Sequence, residues 1–84
     1  MAARLKNRLF YLVSDKERQI GRRITNLEIA EATGVSIQLV GRWMRNEVTQ
    51  FREDVILSFC RYFKCEVADL IYIDWGEEHS DEQG

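Results

Sequence analysis

One segment of this 84-residue chain carries side chains suited to contacting nucleic-acid bases, spaced so that they share one face of a helix. Residues 36–45 read SIQLVGRWMR. With 3.6 residues per turn, the face is formed by Ile37, Gln38, Gly41, Arg42 and Arg45. It has no carboxylate, although a solvated helix face normally carries Glu beside its basic residues. Aliphatic, amide and guanidinium groups match the base edges of a DNA major groove, which repels carboxylates.

These side chains also have expected roles at such a groove. Ile37 would touch a thymine methyl group, Gln38 would bond to an adenine edge or a phosphate, and Arg42 would bond to guanine or a phosphate. Gly41 would leave room for close approach.

Local signals predict a helix before this segment and a tight turn between the two. Thr25 can accept a hydrogen bond from the amide of Glu28, and Glu28 can reach back to the amide of Thr25, which forms a capping box. Gly34 follows where the chain must reverse, because glycine adopts left-handed dihedral angles at little cost. Ser36 is a good N-cap for the second helix. Two short helices joined by a turn are therefore expected over residues 26–45.

This stretch resembles the helix-turn-helix of the Cro and lambda-repressor-like (XRE) family. The positions that carry the resemblance are Thr25, Leu27, Glu28, Ile29, Ala30, Gly34, Val35, Ser36, Val40 and Trp43. It implies an all-α fold, a five-helix lambda-repressor-like DNA-binding domain whose helix-turn-helix is formed by helices 2 and 3. A departure follows the second helix, where the chain reads WMRN instead of the family's common LENG. Asn46 can still take the left-handed C-cap position.

By this resemblance, helix 36–45 enters the major groove and the preceding helix crosses the DNA backbone. Amides at helix N-termini favour anions, and loops beside the reading helix commonly contact the backbone. The residues expected at phosphates are Asn26, Ser36, Arg45, Arg22, Arg23, Thr49, Gln50 and Arg52.

Three further helices are expected around this pair. The first spans about residues 4–15, with an apolar stripe of Leu5, Leu9, Leu12 and Val13 that Phe10 and Tyr11 extend. The polar segment 15–23 reads as an extra helical turn followed by a loop, or as a solvated linker. A fourth helix begins at Glu53 or Asp54, and its core face is Val55, Ile56, Phe59, Cys60 and Phe63. A fifth covers residues 66–72, with Val67, Leu70 and Ile71 directed inward.

The predicted domain spans residues 1–73, and its C-terminal end is unusually apolar. Exposed apolar clusters on small proteins often mark partner surfaces, so we expect a homodimer interface formed by Ile71, Tyr72, Ile73 and Trp75. The segment IYIDW could pair as a strand with its two-fold mate. The alternative is that it folds back as a lid over the first helix. Residues 74–84 form an acidic tail polar enough to stay disordered.

Composition favours one small domain with an uneven charge. The chain is 45% apolar, has no proline and carries a net charge of −2. Residues 1–23 contribute +5, residues 24–73 contribute −2 and residues 74–84 contribute −5. An anionic partner would meet the basic N-terminal region and the arginine face, whatever the total charge. Cys60 and Cys65 lack the partners of a zinc site and are expected as buried free thiols; His79 is expected to be a solvated residue of the tail.

These features predict a sequence-specific, double-stranded DNA-binding transcription regulator that represses. No cofactor, metal or small-molecule effector is expected. The chain shows no membrane span of about 20 residues and no signal peptide, so a cytoplasmic protein of a bacterium or phage is expected. The alternative is a protein-interaction module, such as an antitoxin or phage accessory protein with weak DNA binding. An enzyme is disfavoured because no nucleophile with a base, carboxylate pair or phosphate-binding loop is visible.

Overall fold

Five helices and one small sheet make up residues 3–76, the part of the chain that the computed structural model describes. In chain order the elements are β1 (Arg4–Asn7), α1 (Leu9–Ile20), α2 (Asn26–Thr33), α3 (Ile37–Met44), α4 (Glu53–Phe63), α5 (Val67–Leu70) and β2 (Ile71–Asp74). The fold is mostly helical, as expected, but the all-α class is wrong because two strands join the helices. The expected tail from residue 77 onward, with His79, lies outside the described residues.

The sheet brings together the two ends of the described chain. Its strands run antiparallel, and the register pairs Arg4 with Asp74, Leu5 with Ile73, Lys6 with Tyr72, and Asn7 with Ile71. Four residues are too few to display a hydrophobic period, so the sequence did not separate β1 from the start of a helix; a strand was considered only for the segment that contains β2. The predicted fifth helix is accordingly too long, because it ends at Leu70 and its last two residues belong to β2.

The first helix lies further along the chain than predicted. It begins at Leu9 rather than near residue 4, because residues 4–7 pair with β2. It continues to Ile20 and ends at Gly21, whose φ of 75° is left-handed. The extra helical turn expected after Asp15 is therefore present, and the link to α2 is short. Glu17 fixes this link, since its carboxylate accepts a 2.8 Å hydrogen bond from the amide of Ile24.

Several apolar residues assigned to the core are exposed. Leu9 and Val13 are buried as predicted, one turn apart on the inner face of α1. Phe10 and Tyr11 are 54% and 65% exposed, because successive helical residues rotate by about 100° and carry these two away from that face. Leu5 and Val67 are also about half exposed, so their assignment to the core was wrong as well; Leu5 lies in strand β1 and not in a helix. The remaining buried apolar residues come from every helix.

Trp43 of α3 lies at the centre of the core. Its side chain is 1% exposed. The ring meets Phe59 of α4 and Phe51 of the α3–α4 loop edge to face, with centroid distances of 4.9 and 5.5 Å. Edge-to-face aromatic pairs stabilise a core beyond the area they bury. Helix α3, whose other face is the predicted reading face, is therefore anchored to the core through Trp43.

A pair of asparagines joins β1 to the end of α3. Asn46 Oδ1 accepts hydrogen bonds from the backbone amide of Asn7 at 2.8 Å and from Asn7 Nδ2 at 3.1 Å. Asn46 Nδ2 donates to the carbonyl of Asn7 at 3.0 Å. The φ of 59° at Asn46 confirms its expected left-handed conformation. The Asn46 side chain thus pairs with Asn7 much as a neighbouring strand would, at the outer edge of β1.

Replacing Asn46 by glycine tests this link. Glycine keeps the left-handed backbone but loses the three hydrogen bonds to buried Asn7, so the free energy of unfolding should fall by about 1–2 kcal/mol. The matched control is Lys64→Gly, because Lys64 has a φ of 56° and an exposed side chain. This control should be neutral or slightly stabilising. Urea unfolding measures the free energy of unfolding of both variants. If Asn46→Gly changed this free energy no more than Lys64→Gly, the Asn46 side chain would contribute nothing to stability.

Both cysteines are free thiols, as expected, and each is half-buried. Burial, followed by the adjacent Cys60, raises the pKa of Cys65 to about 11. Within residues 3–76, no group of three His, Cys, Asp or Glu side chains could hold a metal ion. No helix in this same part of the chain is long and apolar enough to span a membrane.

Candidate nucleic-acid interface

Side-chain caps fix the two helices and the turn between them. Thr25 Oγ1 accepts from the amide of Glu28 at 3.1 Å, and Ser36 Oγ accepts from the amide of Leu39 at 3.2 Å. Gly34, with a φ of 80°, ends α2 and donates its amide to the carbonyl of Ala30 at 2.9 Å. These predictions are confirmed. The turn between α2 and α3 consists of three residues, 34–36, and Val35 within it is buried. This short, packed turn fixes the orientation of the two helices relative to each other.

The second half of the predicted capping box is wrong. Glu28 does not reach back to Thr25, because its two carboxylate oxygens accept hydrogen bonds from Arg22 at 2.9 and 2.8 Å. Hydrogen bonding to Arg22 lowers the pKa of Glu28, and the same contact raises the pKa of Arg22. A bidentate guanidinium is a stronger partner for a carboxylate than one backbone amide. The pair joins the α1–α2 link to the start of α2.

The predicted reading face of α3 is open to solvent. Ile37 is 42% exposed, and Gln38 and Arg42 are also exposed, whereas Val40 and Trp43 on the opposite face are buried. Among residues 3–76, no acidic side chain forms an ion pair with Arg42. Its charge is therefore available to a ligand. An aliphatic, an amide and a free guanidinium project together from the first two turns of one helix.

Gly41 does not belong to the open face. It is buried, and a Cβ at this position would lie 3.3 Å from Arg45 Nη1 and 3.9 Å from Asn26 Nδ2. The expectation that Gly41 makes room for DNA is therefore wrong; it makes room for the side chains of Asn26 and Arg45. Two residues predicted at phosphates are thereby brought together on one side of α3. Arg45 also lies 3.1 Å from Glu47 in an exposed ion pair.

A groove on the other side of α3 gathers the remaining loop residues. Its volume is about 340 Å³, and its lining includes Arg42, Thr49, Gln50 and Arg52. A second groove begins at the turn and contains Ser36 together with Arg52. Arg52 contacts Asp54 at 2.9 Å, but both side chains are largely exposed, and surface ion pairs of this kind are weak. A phosphate could therefore compete for Arg52.

Arg22 and Arg23 lie apart from these two grooves, in the link before α2. Arg22 is engaged with Glu28, and it donates a further hydrogen bond to the carbonyl of Arg23 at 3.1 Å. The side chain of Arg23 is exposed. Contact of either arginine with a phosphate stays a prediction.

A sequence profile of the Cro/C1-type HTH DNA-binding domain matches residues 16–74, most of the chain. The chain belongs to this Cro/C1-type family. The resemblance noted for the helix-turn-helix is thereby confirmed, and the match also covers α4, α5 and β2. No curated protein and no solved structure gives a match.

The apolar C-terminal cluster of this Cro/C1-type domain consists of Ile71, Tyr72, Ile73 and Trp75, the residues expected at a homodimer interface. The segment that could pair as a strand with its two-fold mate forms β2, which pairs along one edge with β1 of its own chain; pairing with a second copy stays a prediction. Ile71 and Tyr72 are half-buried, and the ring of Tyr72 lies 4.2 Å beneath the guanidinium of Arg8. Ile73 and Trp75 are each 48% exposed. The cluster therefore has one hydrogen-bonded edge, and two of its apolar side chains remain on the surface.

Sequence reasoning missed two residues near the interface, Asn7 and Arg4. Asn7 gave no signal, because its role depends on Asn46, which is 39 positions away. Arg4 falls at the start of the predicted first helix, yet it lies at the start of a strand and lines a groove with Thr49. Only the pairing of β1 with β2 puts Arg4 there, and a four-residue strand has no sequence signature strong enough to predict it.

Proposed function

We propose that this Cro/C1-type domain is a sequence-specific regulator that binds double-stranded DNA with α3 in the major groove. The observation that carries the proposal is the open, acid-free face of α3, on which Arg42 has no ion-pair partner among the described residues. A polyanion repels carboxylates and attracts unpaired guanidinium groups. A helix in the major groove reads bases through its N-terminal turns, where this face lies.

Three side chains would read the bases. Ile37 contacts a thymine methyl group, Gln38 bonds to an adenine edge, and Arg42 bonds to guanine. Their backbone is held rigidly, since buried Val40 and Trp43 anchor the same helix. Rigid placement supports specificity because a base contact fails when its donor shifts by a fraction of a hydrogen-bond length.

Phosphate contacts would lie on both sides of α3. Asn26 and Arg45 meet beside Gly41 on one side, while Thr49, Gln50 and Arg52 lie along the groove on the other. The major groove is about 12 Å wide and is bordered by two phosphate backbones, so a helix inside it needs partners at both walls. Ser36 would add a contact at the helix N-terminus, and Arg22 and Arg23 would add contacts before α2.

A homodimer would present two such helices to DNA. The outer edge of β1 is occupied at Asn7 by Asn46, whereas among residues 3–76 the one strand that pairs with β2 is β1, along one edge. If a second copy pairs with the other edge of β2 about a two-fold axis at Ile73, Ile71 of each copy faces Trp75 of the other. Ile73 meets its own mate, and Tyr72 lies near Asp74 on the opposite face. This strand is therefore self-complementary, which supports the Ile71–Trp75 segment as the dimer interface.

The biological output we propose is repression. A dimer bound across a promoter excludes polymerase by occupying its site, which needs no further domain or ligand. Such a regulator acts where its operator lies, in the cytoplasm of a bacterium or of a phage-infected cell.

Selection of bound duplexes from a random pool tests the proposed function and the dimer together. We expect enrichment of a palindrome whose half-sites lie one helical turn, about 34 Å, apart. Affinity for the enriched duplex should fall steeply as salt increases, because bound phosphates release counterions. Failure to enrich any motif, together with weak binding that salt does not change, would contradict the proposal. An enriched motif without symmetry would contradict the dimer alone.

A further inference from the structure

A third groove extends the surface around α3 toward the sheet. This groove, of about 200 Å³, is lined by Arg4, Leu5, Val48, Thr49 and Phe51. Two of its residues, Val48 and Thr49, also line the groove that contains Arg42. The two grooves are thus neighbours separated by one stretch of the α3–α4 loop. Arg4 lies at the far end of the continuous surface that begins at the reading face.

Within its own sheet Arg4 makes no direct ion pair, although its charge, after the contacts of Lys6 and the Gly76 amide, helps to lower the pKa of Asp74. Asp74 is opposite Arg4 in the strand register, but its carboxylate is already engaged. One oxygen lies 2.9 Å from Lys6 Nζ, and the other accepts from the amide of Gly76 at 3.0 Å. Arg4 itself is exposed, and within residues 3–76 it forms no ion pair. Because Asp74 is bonded to Lys6, the guanidinium of Arg4 beside Thr49 has no ion-pair partner within residues 3–76.

The strand that carries Arg4 is also held in place from two sides. β2 pairs with one edge of β1 along all four residues, and Asn46 holds the other edge at Asn7. Arg4 therefore belongs to a strand attached to the C-terminal end of the reading helix, not to a loose N-terminal arm. A cation on a rigid support loses less conformational entropy on binding than one on a flexible segment.

We propose that Arg4 contacts a DNA phosphate just beyond those approached by Thr49 and Gln50. The inference rests on the proposed function, because it uses the same orientation of α3 in the major groove. In that orientation the α3–α4 loop follows one backbone strand, and the groove shared with Thr49 extends that line toward β1. Arg4 adds affinity without sequence information, since phosphates are the same at every base pair. The pairing of β1 with β2 thereby becomes part of the binding surface.

Replacing Arg4 by glutamine in the full chain tests this contact. Binding to the selected duplex is measured between 50 and 200 mM salt. The slope of log affinity against log salt should become shallower by about 0.9 per bound protomer. The ratio of wild-type affinity to Arg4→Gln affinity should therefore be roughly threefold smaller at 200 mM than at 50 mM salt. The sequence preference should not change. The matched control is Arg61→Gln, because Arg61 is exposed on α4, has no ion pair among the described residues and lines neither groove.

Two further variants separate the possible causes. Arg4→Lys keeps the charge and should bind with nearly the wild-type salt slope. If Arg4→Lys lost as much affinity as Arg4→Gln, or if the melting temperature of both fell, the effect would come from the strand and the inference would be overturned. The inference would also be overturned if Arg4→Gln had the same affinity and salt slope as Arg61→Gln. If Arg42→Gln still weakened binding in that experiment, the proposed function would stand. A wild-type chain that binds no duplex would overturn both.

Discussion

Replacing Trp43 by alanine is expected to leave most of the protein unfolded. The indole is 1% exposed and packs edge to face on Phe51 and Phe59, so its loss removes both the buried area and two aromatic contacts. Truncation of a buried Trp costs about 3–5 kcal/mol. A core in a domain of this size supplies roughly 3–5 kcal/mol in total, so little stability would remain. Circular dichroism and urea unfolding measure the loss.

The control for this variant is an aromatic residue outside the core. Tyr11 is 65% exposed, and Tyr11→Ala should change the free energy of unfolding by less than about 0.5 kcal/mol. Trp43→Phe should be intermediate, because phenylalanine retains an aromatic ring and leaves a smaller cavity. A Trp43→Ala protein with the wild-type urea midpoint would show that α3 is not anchored through this side chain. DNA binding should decline with the folded fraction, since the reading face is the opposite side of the same helix.

Replacing Arg42 by alanine should weaken binding to the selected duplex by about 1–3 kcal/mol, or roughly 5- to 150-fold. Its side chain is exposed and has no ion pair within the described residues, so folding stability should be nearly unchanged. Titration of the selected duplex and of a shuffled duplex measures the affinity and the specificity ratio. Arg61→Ala is again the matched control, since it removes an exposed arginine from outside the interface.

Arg42→Lys decides between the two contacts that Arg42 could make. A guanidinium bonds to guanine O6 and N7 with two parallel donors, which an ammonium on a flexible stem reproduces poorly. If Arg42 reads guanine, the lysine variant should lose discrimination between the selected and shuffled duplexes. If Arg42 binds only a phosphate, the lysine variant should keep the specificity ratio and lose little affinity. Unchanged binding by Arg42→Ala would show that neither assignment is correct.

The features that could be predicted from the sequence depend on groups within a few positions of one another. Thr25, Gly34 and Ser36 act on amides or carbonyls no more than four residues away, so their cap roles are visible in the chain itself. The same holds for the faces of α3, because helical periodicity alone separates buried Val40 and Trp43 from exposed Gln38 and Arg42. The family and the location of the candidate reading face followed from these local signals.

Predictions failed where a group outside the local motif offered a contact that the motif did not include. Residues 4–7 have a helix-compatible pattern, yet their backbone groups bond to residues 71–74. Glu28 can close a capping box, but Arg22 in the preceding link takes its carboxylate. Gly41 lies at the expected helical angle, and it is nevertheless covered by Asn26 and Arg45. In each case the local rule was sound and a contact from another element overrode it.

The sequence by itself determined two capped helices, the turn between them and a helix face rich in groups that suit DNA. These properties arise from hydrogen bonds and rotations within one or two helical turns, which amino-acid order fixes directly. Only the tertiary structure decided that a sheet joins the chain ends, that Asn46 holds β1 and that Arg4 lies beside Thr49. Those contacts join positions about 40 to 70 residues apart, and they form only because burying the core around Trp43 brings these segments together.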